Sequence, residues 1–157
     1  MPFIHVKSLP FSTFFDTSAA LEGVTRDFAK ATGISLEHVT ATWEFLPPGH
    51  YAVAGKAVSR QPRGSHPLLV DLLVPDFNSG ARVRRMLGAV AASIAKRANV
   101  PPANIFINVQ QARSGMVFDA GKIAKWSRPR HGSRSSGRSK ASNAAPRSRR
   151  VDDAQVR

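Results

Sequence analysis

The sequence predicts an α+β protein built as two tandem βαβ modules, and three observations predict it. Apolar residues recur with strand-like, helix-like and strand-like periods in that order, and then do so again. Punctuating residues return 66 positions apart: Gly49, Gly55 and Lys56 come back as Gly115, Gly121 and Lys122, and Pro2 has an echo at Pro67. Each half alone is too short to bury a good core, so the two must share one.

Residues 3–7 form a short strand. Asp16, Thr17 and Ser18 offer capping oxygens ahead of Leu21, Val24, Phe28 and Ala31, which recur at helical spacing until Gly33 stops the helix. Val39, Ala41, Trp43 and Phe45 alternate with Thr40, Thr42 and Glu44, the period of a strand with two unlike faces. Beyond a polar connector, the run from Leu68 to Val74 is a nearly all-apolar strand, which needs cover on both faces. Asn78 or Ser79 caps a second helix whose buried side is Val83, Leu87, Val90 and Ile94, and Ile105, Ile107 and Val109 alternate as the fourth strand. The modules span residues 1–62 and 66–125, giving one folded domain over 1–125.

Residues 126–157 differ in kind. They hold nine Lys or Arg against two Asp and almost no apolar residues, within a chain of formal net charge +13. Too little apolar surface is available there to offset the entropy of ordering, so this end is expected to be a disordered basic tail. With Trp126 as its one aromatic, residues 127–157 can bind nucleic acid or another polyanion only non-specifically, by neutralising phosphates.

Composition excludes several classes. There are no cysteines, hence no disulfides, thiolate nucleophiles or Cys-ligated zinc, which fits a cytoplasmic protein. No apolar run reaches the roughly 20 residues of a membrane span, and His5 and Lys7 break up the start, so neither a membrane partner nor a signal peptide is expected. The five histidines lack metal-ligand spacing, so no metal or other cofactor is expected. Gly49 to Lys56 has five residues between its glycines and Ala57 after the Lys, which departs from a phosphate-binding loop.

Taken in order and spacing, Met1-Pro2-Phe3-Ile4, the Gly49-His50-Tyr51 hairpin segment and Val100-Pro101-Pro102-Ala103-Asn104-Ile105 resemble 4-oxalocrotonate tautomerase (4-OT) and its superfamily. The doubled module is similar to malonate semialdehyde decarboxylase, cis-3-chloroacrylic acid dehalogenase and macrophage migration inhibitory factor (MIF). The resemblance implies a four-stranded sheet with two helices on one face and a homotrimer packed through the open sheet faces. It also implies a catalytic Pro2: removal of Met1 leaves a secondary amine with a basic lone pair, which the amide nitrogen of Pro67 lacks.

The family's substrates are small anionic keto or enol acids, so a guanidinium is needed to grip the carboxylate. Arg82 and Arg84, early in the second helix, stand where the two-module relatives place substrate arginines, and Arg85 follows them. A solvated helix face is the plainer account of any of the three. Tyr51 replaces an active-site Phe of the short enzymes and walls the pocket or simply packs an interface. Phe118 and Asp119 lie in the second hairpin, where relatives bind or activate water and where an Asp also serves as a turn residue. The short tautomerases' second-strand arginine is missing, with Val39 or Thr40 and Phe106 in its places, and Ile34 replaces the lysine of the MIF branch, which tells against phenylpyruvate tautomerase activity. The expected function is keto–enol tautomerisation, with decarboxylation or dehalogenation as alternatives within the superfamily. A non-catalytic trimer that binds polyanions through its tails is the alternative outside it.

Overall fold

A computed structural model describes residues 2–127; the expected tail beyond Ser127 lies outside the described residues. β1 (Phe3–Ser8), α1 (Thr17–Thr32) and β2 (Thr40–Phe45) make the first module, and β5 (Leu68–Pro75), α2 (Gly80–Ala98) and β6 (Ile105–Ala112) the second. Each ends in a small two-stranded hairpin, β3 (Ala52–Val53) with β4 (Lys56–Ala57), and β7 (Val117–Asp119) with β8 (Lys122–Ala124). The main sheet runs β2-β1-β5-β6, antiparallel where β1 meets β5 and parallel within each module.

The core lies between sheet and helices. Ile4 and Val6, Leu68, Val70, Leu72 and Val74 point inward against Val24, Phe28, Met86, Val90 and Ile94, all at most 1% exposed. Asp16 caps α1 by accepting from the Ala19 N–H at 2.9 Å, and Ser79 caps α2 by accepting from the Arg82 N–H at 3.4 Å. Gly33 and Asn99 end the helices in the left-handed conformation, φ +70° and +51°. The helices are tied where the Arg97 guanidinium donates to Asp27 Oδ2 at 2.7 Å beside the Ser93 hydroxyl. A Cβ on Gly23 would overlap that guanidinium and oblige it to shift. Burial pushes the Asp27 pKa up, but the hydrogen bonds from Ser93 and Arg97 and the charges of Arg97 and Lys96 outweigh it and hold the carboxyl below its ordinary value.

The duplication is in register by 66 throughout. Gly33 matches Asn99, Ala54 (φ +50°) matches Ala120 (φ +50°), and the Phe3–Thr40 pair matches Leu69–Phe106. This corrects the echo at Pro67, which stands 65 positions on. A sheet has a period of two, and an odd shift would turn buried Ile4 and Val6 onto the open face. Pro2 therefore corresponds to Leu68.

Candidate active site

Pro2 opens β1 and is buried, and its carbonyl accepts from the Thr40 N–H at 3.1 Å, which binds it to the start of β2. Because β5 runs antiparallel to β1 with Phe3 opposite Leu73, the end of β5 arrives beside Pro2. The chain then turns through Asp76, Phe77 and Asn78 into α2. Asn78, only 7% exposed, donates from Nδ2 to the Pro75 carbonyl at 2.8 Å and stiffens this turn. Just outside it, the Trp126 indole donates to Asp76 Oδ1 at 2.8 Å and its ring meets Phe77 edge-on at 6.1 Å. Trp126, placed in the expected tail by composition, thus packs on the folded domain.

These elements enclose a cavity of about 170 Å3 lined by Pro2, Ile34, His38, Pro75, Phe77, Asn78 and Arg82. At about 30 Å3 per water it has the volume of roughly six waters, a fit for a small organic acid. Its walls are mostly apolar, with a cation in the first turn of α2, where the helix dipole also favours an anion. Among the described residues the Arg82 guanidinium makes no hydrogen bond or ion pair, so its fork is available. His38 ends a one-turn 3-10 helix (Leu36–His38), its Nε2 3.7 Å from Glu37 Oε1.

The structure brings together Pro2 and Arg82, two of the residues singled out in the sequence. Arg84 is exposed and lies back over Gly80. Tyr51 is at the opposite end of the β1–β5 pair, donating from its hydroxyl to the Pro67 carbonyl at 2.9 Å and packed edge-on to His66; burial raises its pKa. Phe118, 70% exposed, and Asp119 sit on the β7–β8 hairpin, outside this cavity. Sequence reasoning missed His38, Phe77 and Asn78 as cavity residues. A signal for His38 existed: β2 lies parallel to β1, so whatever precedes β2 stands beside whatever precedes β1. Among the described residues no three His, Cys, Asp or Glu are grouped as a metal site, and no helix is long and apolar enough to cross a membrane.

No protein-family model matches the chain, and no curated protein matches it. Solved structures do. A wild-type fused 4-OT, described as an asymmetric trimer, aligns with a TM-score of 0.67 at 17% identity over 78% of this chain and 95% of that one. A member of the cis-3-chloroacrylic acid dehalogenase family gives 0.62 at 14% identity, covering 78% and 82%. A MIF-like protein from Entamoeba histolytica gives 0.57 at 11% identity, covering 80% and 98%. The chain has the tautomerase-superfamily fold. The match runs over nearly the full length of the fused 4-OT and MIF-like chains alike.

Proposed function

We propose that this chain is a tautomerase in which the Pro2 amine, freed by loss of Met1, moves a proton on a small keto or enol acid whose carboxylate Arg82 holds. The observation that carries the reading is the shared cavity: Pro2 and Arg82 line one space of about 170 Å3, room enough for a small acid. Pro2 is buried and shares this cavity with Arg82, so a carboxylate held by the guanidinium would lie in the same space as the amine. The base takes a proton from one position of the substrate and returns it to another, so isomerisation balances without a co-reactant. The apolar wall of Ile34 and Phe77 strengthens the carboxylate–guanidinium contact by excluding water.

We further propose a homotrimer. Leu69, Leu73 and Phe106 lie on the sheet face away from the helices, Phe106 being 58% exposed, beside the Lys7–Asp71 pair at 3.5 Å. A trimer would cover that face. Sedimentation at micromolar concentration is expected to give three chains per particle, and a monomer would sink this part of the proposal.

The function is tested by intact mass and by ultraviolet assay of small enol acids. The expected result is a protein lacking Met1, turnover by the wild type, and turnover at least about 100-fold slower in Pro2→Ala. Full retention of Met1, or Pro2→Ala as active as the wild type, would overturn it. Release of carbon dioxide or halide with no isomerisation would move the same site to decarboxylation or dehalogenation.

A further inference from the structure

The 66-residue register gives the Pro2 cavity a counterpart in the second module. Phe77, Asn78 and Ile34 map onto Phe11, Ser12 and Val100, and these three line a separate cavity of about 340 Å3, twice the volume of the first. The connector Gln61-Pro62-Arg63 lines the second cavity and has no counterpart in the lining of the first. That wall is held rigidly by two buried amides. Gln61, 6% exposed, accepts from the Leu9 N–H at 3.1 Å and donates to the His66 carbonyl at 2.6 Å. Asn104, 4% exposed, donates to the carbonyls of Pro62 at 3.1 Å and Ser65 at 3.2 Å. The connector is thereby positioned before any ligand arrives, which lowers the ordering cost of binding.

The polar groups on this cavity suit an anion. Arg63 uses one N–H, from Nη2 to Asn99 Oδ1 at 2.8 Å, and makes no ion pair among the described residues. A guanidinium bound once to a neutral amide keeps its charge and most of its five donors. The Ser12 and Thr13 hydroxyls and the Asn99 amide add neutral donors around it, while Phe11 and Val100 supply an apolar wall. The nitrogen equivalent to that of Pro2 belongs to Leu68 and is a peptide amide with no basic lone pair. We infer that the cavity beside Arg63 is a second site, which binds a small carboxylate without turning it over. It stands on its own residues and does not depend on catalysis at Pro2.

The test is calorimetric titration of the full chain with malonate, repeated on Arg63→Ala and Arg82→Ala, with backbone amide shifts followed by NMR. The wild type is expected to bind two malonates per chain. Arg63→Ala should weaken one of them by about tenfold or more, the effect of removing a charged hydrogen-bond partner, and leave the other intact. Arg82→Ala should do the converse. In the wild type, malonate should shift the amides of Ser12, Thr13 and Asn99, a readout that holds even if Arg63→Ala folds poorly. A single malonate per chain whose loss follows Arg82 alone, or unmoved Ser12 and Asn99 amides at saturation, would overturn the second site. Loss of turnover in Pro2→Ala with two malonates still bound would separate its fate from that of the catalytic reading.

Discussion

The two modules share one backbone plan, yet their corresponding ends are built for different work. At the start of β1 the chain begins, Arg82 reaches the cavity, and His38 stands at its edge; 66 positions away the same places hold Leu68 with a connector in front of it, Asp16, and Asn104. The helices show how this arose. Their buried faces and C-terminal caps match at 66 residues, but α2 starts a turn earlier relative to its module, and that extra turn, Gly80 to Arg82, delivers the arginine. In the first module the matching stretch is non-helical, with the Phe15 ring tilted against Trp43 at 4.8 Å and Asp16 spent as a cap. On the proposed reading, catalysis falls to the half whose Pro2 amine would be freed by loss of Met1, because the nitrogen of an internal residue such as Leu68 is an amide without a basic lone pair.

If that asymmetry is right, the largest effect comes from Pro2→Ala, which should cut turnover by about 10²–10⁴-fold, the usual range for a positioned base. Steady-state kinetics would show it, and the equivalent change Leu68→Ala should instead lower stability by about 2–5 kcal/mol through a core cavity. Arg82→Ala should reduce kcat/KM by about 10–100-fold, the scale of a charged hydrogen bond. Asp16→Ala should leave kcat/KM unchanged while costing about 1 kcal/mol of stability as a lost cap. Were Asp16→Ala as harmful to turnover as Arg82→Ala, the division of labour would be broken.

Smaller effects sharpen the same contrast. Asn104→Ala removes a buried amide that bonds two carbonyls of the connector and should cost about 1–3 kcal/mol in urea unfolding, whereas His38→Ala, at an exposed residue, should stay within about 0.5 kcal/mol. Another small effect concerns what joins the modules. Asp27→Asn removes a partly exposed ion pair, so about 0.5–1 kcal/mol is expected. The sign follows from the lowered pKa of Asp27: its contribution is complete above the unfolded-state pKa and is lost as pH falls through the folded-state pKa. Wild type and Asp27→Asn should therefore differ in urea midpoint at neutral pH and converge in acid.

Much of this was legible from local pattern. The strand and helix periods, the caps at Asp16 and Ser79, the stop at Gly33 and the repeat of Gly49, Gly55 and Lys56 all depend on residues a few positions apart, so linear spacing carries them. Pro2 was legible as a candidate for another reason, the resemblance of Met1-Pro2-Phe3-Ile4 to the opening of the tautomerases. The match of Pro2 to Pro67 misled because identity of residue type was weighed without the pleat, and only strand pairing revealed the shift by one. Choosing Arg82 over Arg84 also needed tertiary structure: two arginines two residues apart on a helix project about 200° apart, and which of them meets Pro2 depends on how α2 docks on the sheet. His38, Asn78 and Phe77 were beyond linear reading for the same reason. The sequence by itself determined the elements, their order and the candidacy of Pro2 and Arg82; the tertiary structure alone decided that Pro2, Arg82, His38 and the turn at Phe77 and Asn78 line one cavity, because a cavity is made by side chains distant in the chain and adjacent only once the sheet has formed.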